Sequence, residues 1–270
     1  MSRQTLLQQL THEGRLLLVA TQFLTRLPVP ELRDFQPQWL HQSSRYFPAV
    51  GLLIGLLCAG VFWLGTVLFG PLVAAVASTA FGIKLTGAFH EDGLADTCDG
   101  LGGGLTREHT LTIMKDSRLG TFGTLGVLMA VLLKVSLLAS MPVVLALIAL
   151  VVGHCGSRLL SISLIALLPY GGDLEHAKAK PMAQQLTLVQ GIIGALWLGL
   201  ALLIADVLWP AAMAAIPAWQ WALTLMLAVF ATDHMRRLLH RRLNGYTGDG
   251  LGATQQLSEL AIYAGLALQL

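Results

Sequence analysis

Long apolar stretches alternate with short polar segments along most of the chain. Residues 46–69 hold 24 positions without a charged residue, and about 20 apolar residues are enough for a helix to cross a bilayer. The same pattern predicts further spans at residues 71–89, 119–140, 142–169, 186–209, 211–233 and 251–270. The last stretch is interrupted by Gln255, Gln256 and Glu259. We therefore expect an all-α, polytopic transmembrane helix bundle with about seven spanning helices.

A shorter apolar stretch, residues 15–30, precedes the first span and is flanked by Arg15 and Arg26. Its length and its arginines favour an N-terminal interfacial or re-entrant helix over an eighth span. The first residues lack the pattern of a cleavable signal peptide, so we expect the first true span to act as the insertion signal.

Composition supports the membrane class and excludes others. Hydrophobic residues make up 55% of the chain and charged residues 12%, against about 25% charged in soluble domains. The length of 270 residues fits a single integral membrane domain, residues 1–270, without a separate soluble domain. A net charge of +2 gives no indication of nucleic-acid binding. Cys58, Cys98 and Cys155 show neither metal-site spacing nor a disulfide framework.

The distribution of lysine and arginine predicts the orientation, because these residues concentrate in cytoplasmic loops. Segments 90–118, 170–185 and 234–250 carry them, whereas the connections near Gly70 and Pro142 carry none. We expect the N-terminus and these three segments to face the cytoplasm, with active-site loops near 90–118 and 234–250. Glycine pairs such as Gly51 and Gly55 permit close helix contact; a homo-oligomer is left open.

The segment "HEDGLADTCDGLGG", residues 90–103, is the densest cluster of acids in the chain. On a helix Asp92, Asp96 and Asp99 share one face, with Glu91 about a quarter turn away. Their mutual repulsion is relieved by a cation, and Mg²⁺ prefers carboxylates completed by water and phosphate oxygens. The spacing therefore predicts a Mg²⁺ site. The alternative is a solvated acidic loop.

Two cationic segments accompany the acids. The segment "KDSRLGTFG" contains Lys115, Asp116 and Arg118. The two cations are expected to bind a phosphoryl group, and Asp116 is expected to complete the metal site. The alternative is a positive-inside cluster with one salt-bridged aspartate.

In the second segment, His234, Arg237 and Arg241 fall on one helical face, followed by "NGYTGDGLG" with Asp249. Guanidinium groups match the oxygens of a diphosphate, although a topogenic or lipid-headgroup cluster is the alternative.

Arg158 lies inside a predicted span. An intramembrane arginine is by default a functional-site hypothesis, here for substrate binding, and a structural ion pair is the alternative. His154, one turn earlier, is interpreted as a core histidine with satisfied hydrogen bonds.

Five segments together resemble the cobalamin synthase family, the adenosylcobinamide-GDP ribazoletransferases. They are "FLTRLPVP", "RYFPAVGLLIG", "HEDGLADTCDGLGGG", "IMKDSRLGTFG" and "LNGYTGDGLGA", in order across nearly the whole chain. The resemblance implies a bacterial inner-membrane enzyme, embedded in lipid, that uses Mg²⁺. It would join adenosylcobinamide-GDP to α-ribazole or α-ribazole 5'-phosphate and release GMP in the last steps of vitamin B12 synthesis.

The resemblance also assigns site residues. Its acidic signature falls on Glu91, Asp92, Asp96 and Asp99, its basic segment on Lys115, Asp116 and Arg118, and its late glycine motif on Gly245, Thr247, Gly248 and Asp249. Segment 170–185 departs from the family pattern and leaves only Lys178 and Lys180 as weak candidates.

In the resulting hypothesis the aspartates hold one or two Mg²⁺ ions, the cations neutralise the diphosphate, and His90, Glu91 or Asp249 accepts the hydroxyl proton. Two other classes stay open. A CDP-alcohol phosphotransferase also clusters aspartates in a membrane helix, but "DGLAD" lacks its Ala-Arg pair. A transporter would place the acids near the membrane midplane.

Overall fold

The computed structural model describes residues 3–32, 35–172 and 185–268. Within these ranges the chain is an all-α bundle, as predicted. Its helices are α1 (Arg3–Leu24), α2 (Pro37–Ser43), a 3₁₀ turn (Ser44–Tyr46), α3 (Phe47–Phe69), α4 (Pro71–Thr86), α5 (Phe89–Gly103), α6 (Arg107–Lys115), α7 (Thr121–Ser140), α8 (Val143–Leu167), α9 (Leu188–Leu208), α10 (Pro210–Ala215), α11 (Ala218–Leu243) and α12 (Gly248–Ala267).

The breaks between helices follow proline and glycine. Pro71 and Pro210 each occupy the first turn of a helix, where the missing N–H has no helical partner in any case. Pro142 lies at the residue before α8. Gly70 separates α3 from α4 with a φ of +88°, a conformation that glycine adopts without steric cost.

Four helices are long and apolar enough to cross a membrane: Pro37–Phe69, Thr121–Ser140, Val143–Leu167 and Leu188–Leu208. The pair α4 and α5 makes a fifth if it is counted as one broken span. Six of the seven predicted spans each correspond to a helix, whereas residues 211–233 fall on α10 and α11, which are separated by Ile216 and Pro217. The multi-pass bundle is confirmed. The number of seven spans stays a prediction, because α11 and α12 carry more polar residues than the four apolar helices.

α8 lies at the centre of the bundle and packs closely against α3. A Cβ atom added at Gly51 would lie 2.2 Å from the carbonyl oxygen of His154, and one at Gly55 would lie 2.7 Å from that of Leu150. Only glycine allows the two backbones to approach this closely. The predicted role of this glycine pair in helix contact is confirmed.

α4 and α5 meet at a bend of 88°. Gly87 and Ala88 both adopt left-handed backbone conformations there, with φ of 67° and 59°. The backbone N–H of Arg26 donates to the carbonyl of Leu85 at 2.7 Å, and the guanidinium of Arg26 fills the space beside Gly87. The segment after α1 is therefore fixed against the start of α5.

Candidate active site

Asp92 and Asp249 form the centre of the candidate site, where the first turn of α5 meets the first turn of α12. The helices cross at Gly93, whose added Cβ would lie only 2.9 Å from the carbonyl oxygen of Asp249. Burial and the negative charge of Asp92 raise the pKa of Asp249 to about 6. We call Asp92 and Asp249 the carboxylate pair.

Neither carboxylate of this pair has a hydrogen bond or ion pair with another residue in the parts of the chain that are described. Asp92 is exposed and Asp249 is half-buried. Asp249 has a hydrogen bond with its own backbone, and the repulsion between the two negative charges is relieved by a nearby cation. The chemistry of the pair thus fits a metal that also takes oxygen ligands from a substrate.

No group of three or more His, Cys, Asp or Glu side chains among the described residues is arranged to hold a metal ion by itself. Mg²⁺ typically binds through one or two carboxylates and completes its octahedron with water and phosphate oxygens. The residues present therefore fit a Mg²⁺ that arrives with a phosphorylated substrate better than a closed protein cage.

The predicted metal ligands on α5 have different surroundings. Asp96 is half-buried one turn beyond Asp92 on the same face. Asp99 is buried, and its two oxygens accept the backbone N–H groups of Gly120 and Gly123, each at 2.8 Å. A carboxylate at a helix N-terminus is stabilised by these unpaired N–H groups. Asp99 thus anchors α7 to α5, and its metal role stays a prediction.

Two of the three predicted proton acceptors are buried or bound to other side chains. Glu91 Oε1 accepts a hydrogen bond from Gln256 Nε2 at 3.1 Å, and Glu91 Oε2 is buried. His90 is 5% exposed, and its ring lies edge-on to Phe89. Asp249 is the predicted acceptor whose charge interacts with that of Asp92.

Asp116 and Arg118 pair with each other. The Arg118 guanidinium donates to both Asp116 oxygens, with Nη2 at 2.5 Å from Oδ2. These hydrogen bonds lower the pKa of Asp116 to about 2. The Arg118 side chain is 87% exposed, and Lys115 is an exposed residue at the end of α6. Their metal and phosphate roles stay predictions.

The predicted basic face of α11 is present. His234, Arg237 and Arg241 are all exposed. Asp233, which sequence reasoning did not single out, binds Arg237 Nε at 2.7 Å and Arg236 Nη2 at 2.7 Å. This carboxylate offsets part of the positive charge of the face.

The late glycine motif has a structural role. The Thr247 hydroxyl accepts the Gly250 N–H at 3.1 Å and caps α12. Gly245 is buried against the backbone of Pro169 and Gly171, and Tyr246 pairs with Tyr170 in a parallel bridge. The motif thus positions Asp249, and direct substrate binding by Gly245 and Thr247 stays a prediction. Lys178 and Lys180 lie outside the described residues.

Two arginines that the sequence did not assign to the site connect these loops. Arg107 donates from Nε to the carbonyl of Leu243 at 3.0 Å and from Nη2 to that of Gly171 at 2.7 Å. Arg242 Nη2 donates to the carbonyl of Gly104 at 2.5 Å. We call this meeting point of residues 104–107, 169–172 and 242–247 the loop junction. The sequence contains no signal for carbonyl partners so far apart.

Arg158 is 2% exposed and lies inside the bundle. Its Nη1 donates to the carbonyl of His154, one turn earlier on α8, at 2.9 Å. Arg158 is buried, whereas the basic face of α11 is exposed, and a direct contact of Arg158 with substrate stays a prediction.

The sequence model of the family described as cobalamin-5-phosphate synthase matches residues 16–267. The chain belongs to the cobalamin-5-phosphate synthase family. A relative from Leptothrix cholodnii named adenosylcobinamide-GDP ribazoletransferase is 49% identical over 260 residues, which cover 95% of this chain and 96% of that protein. A relative of the same name from Albidiferax ferrireducens is 44% identical, with 94% and 97% covered. No solved structure matches the chain.

The relatives are named as transferases, and this member of the cobalamin-5-phosphate synthase family is accordingly a multi-pass membrane transferase of cobalamin synthesis. The family match confirms the resemblance drawn from the five sequence segments. It covers both helices that carry the carboxylate pair.

Proposed function

We propose that the protein transfers the adenosylcobinamide phosphate group of adenosylcobinamide-GDP to α-ribazole or its 5'-phosphate and releases GMP. The observation that carries the proposal is the carboxylate pair, which brings two acids together at the crossing of α5 and α12 without a basic side chain bound to either. Such a pair suits a diphosphate bound through Mg²⁺.

In the proposed reaction the 5'-oxygen of the ribazole attacks the phosphorus next to the cobinamide. A new O–P bond forms, the bond from that phosphorus to the GMP oxygen breaks, and the hydroxyl proton passes to a base. Mg²⁺, when bound, would neutralise charge on the phosphate oxygens and on the leaving group. Asp92 and Asp96 would hold the ion, since they lie one turn apart on the same face of α5.

Asp249 is the residue best placed to receive the hydroxyl proton. It faces Asp92 across the helix crossing, whereas Glu91 is bound to Gln256 and His90 is buried. The exposed cations Arg237, Arg241 and Arg118 would bind the diphosphate and guanosine end of the donor, because guanidinium groups pair with phosphate oxygens.

The proposed location is the bacterial inner membrane with the site facing the cytoplasm, where nucleotide-linked substrates are made. The excess of lysine and arginine in the segments around the site supports this orientation.

The test is GMP release by the purified protein in lipid nanodiscs, supplied with Mg²⁺, adenosylcobinamide-GDP and α-ribazole. We expect GMP and a cobalamin product in equal amounts, and loss of both with Asp96→Asn or after chelation of Mg²⁺. Release of CMP from a CDP-alcohol donor, with no GMP from the cobinamide donor, would assign the protein to the other phosphotransferase class.

A further inference from the structure

One face of α12 packs against the first turns of α5. Asp249, Gly252 and Gln256 are spaced i, i+3 and i+7 along α12, so they share this face. A Cβ atom added at Gly93 would lie 2.9 Å from the carbonyl oxygen of Asp249 and 3.3 Å from the Cα of Gly252. This contact between backbones sets how closely the helices approach. It does not set the rotation of α5 about its own axis, because Gly93 has no side chain that could be held.

A hydrogen bond between side chains supplies that second constraint. Gln256 is 7% exposed, and its Nε2 donates to Glu91 Oε1 at 3.1 Å. Gln256 lies about 10 Å further along the helix axis than Asp249, since an α-helix rises 1.5 Å per residue. Glu91 and Asp92 are consecutive, so their side chains leave α5 about 100° apart. With Glu91 bound to α12, Asp92 is exposed, and the hydrogen bond thus sets the direction of one member of the carboxylate pair.

Gln256 is itself held in place by buried side chains. Its Nε2 also donates to Gln255 Oε1 at 3.0 Å, so both N–H groups of its amide are used. Gln255 Nε2 donates to Glu259 Oε2 at 2.6 Å and to the Ser157 hydroxyl of α8 at 2.9 Å. Glu259 Oε1 in turn binds Lys134 of α7 at 2.5 Å. Because the amide of Gln256 cannot turn freely, it orients the carboxylate that accepts from it.

We propose that Gln256 and Glu91 form a positioning pair, which fixes the first turn of α5 on α12 and with it the place of Asp92 beside Asp249. Glu91 is then a positioning residue, and it is neither the proton acceptor nor a metal ligand of the transfer. A misplacement of about 1 Å costs on the order of 100-fold in rate, so loss of the hydrogen bond lowers turnover. This effect on turnover rests on the proposed function.

Two substitutions of Glu91 separate positioning from chemistry. Glu91→Gln keeps an oxygen that accepts from Gln256 and removes the charge, whereas Glu91→Ala removes both. We expect Glu91→Gln to retain kcat for GMP release within about fivefold of wild type, and Glu91→Ala to lose about 10- to 100-fold with little change in KM. Equal large losses in both variants would show that the carboxylate takes part in the reaction and would overturn the proposal.

The donor is tested from the other side of the pair. Gln256→Met removes the amide at similar side-chain length and should lower kcat as Glu91→Ala does. The double variant Glu91→Ala/Gln256→Met should lose no more than either single variant, because all three break the same bond. Multiplied losses, or a wild-type kcat in Gln256→Met, would contradict the positioning pair.

Gln220→Met is the matched control. It changes another buried amide, which donates to the carbonyl of Leu266 near the other end of α12, and it should keep the wild-type kcat. A loss equal to that of Gln256→Met would trace the effect to any buried amide that contacts α12, against the proposal. If Gln256→Met does not fold, the two Glu91 variants decide.

Hydrogen exchange followed by mass spectrometry in nanodiscs tests the contact without the reaction. In Gln256→Met we expect peptides from residues 89–95 to exchange about threefold faster or more, and peptides from α9 to exchange as in wild type. Glu91→Gln should match wild type throughout. Unchanged exchange at residues 89–95 in Gln256→Met would overturn the proposal whatever the turnover. If the wild-type protein releases no GMP while exchange responds as expected, the proposed function fails and the positioning pair is supported.

Discussion

Glu259 on α12 and the carboxylate pair, Asp92 on α5 and Asp249 on α12, have opposite surroundings. Glu259, which is buried inside the bundle, receives hydrogen bonds from Lys134, Tyr263 and Gln255, whereas no other described residue binds the side chains of Asp92 and Asp249. A buried charge is stable only with partners. The contrast separates an acid that holds the bundle together from a pair whose oxygens are left for a ligand.

The largest expected effect comes from breaking the buried ion pair of Lys134 and Glu259. Lys134→Met leaves Glu259 without its main cation, and removing one partner of a buried ion pair costs about 3–5 kcal/mol. Thermal unfolding in nanodiscs should therefore show strong destabilisation. The double variant Lys134→Met/Glu259→Gln should recover most of the loss. Equal instability of the single and double variants would contradict a structural role for the pair.

The second prediction changes Asp92 of the carboxylate pair. Asp92→Asn should reduce GMP release by at least about 100-fold, since even outer-sphere partners of a metal are worth 10–100-fold, while thermal unfolding stays close to wild type. Binding of Mn²⁺ followed by EPR in the presence of the GDP-linked donor should weaken in parallel. Glu108→Gln, an exposed acid on α6, is the control and should change neither. Wild-type turnover in Asp92→Asn would remove the metal role.

The pH dependence sharpens the comparison. In the folded, metal-free protein the pKa of Asp249 should be about 6, whereas in the unfolded chain it should have its ordinary value of 3.8. The folded state then holds more protons between these values, so the free energy of unfolding falls as the pH rises from 4 to 6, by about 2 kcal/mol. Infrared titration of the carboxyl band measures the pKa. Asp92→Asn should lower it, and an unchanged pKa would show that burial alone causes the shift.

The loop junction is expected to have a smaller effect. Arg107→Gln loses a charged donor to two carbonyls, and partial exposure limits the destabilisation to about 1 kcal/mol. We expect kcat to fall more than KM rises, because Asp249 follows directly after the junction. Arg107→Lys should not fully restore kcat, since an ammonium group cannot reproduce the guanidinium fork. An unchanged kcat in Arg107→Gln would separate the junction from the site.

The smallest effect concerns Arg118. Its ion pair with Asp116 is exposed, and exposed pairs contribute little to stability, so Arg118→Ala should not alter thermal unfolding. If Arg118 binds the diphosphate, KM for the GDP-linked donor rises several-fold. An unchanged KM would leave it as a topogenic charge.

Local signals predicted most of the helices, including the one that carries Asp92, Asp96 and Asp99. Gly70, Pro142 and Pro210 mark chain breaks through their own backbone preferences, and Gly51 and Gly55 mark a close contact because they lack a side chain. These effects need only neighbouring residues or a missing atom. They are therefore visible in a single sequence.

The partners of the acids depend on distant segments and were not predicted. Nothing at Asp99 indicates that it accepts the N–H groups of Gly120 and Gly123. Nothing near Gly93 indicates a crossing with α12. The 88° bend includes Ala88 in a left-handed conformation, which tertiary contacts impose against the preference of alanine.

The loop junction has a consequence for biogenesis. Arg107 binds a carbonyl 136 positions further along the chain, so a ribosome must synthesise nearly the whole protein before that bond can form. Until then α5 is inserted without α12, and the surface around Gly93 that α12 later covers stays open. A nascent chain stalled before residue 243 should therefore remain sensitive to quality-control proteases and become resistant only when the final helix arrives.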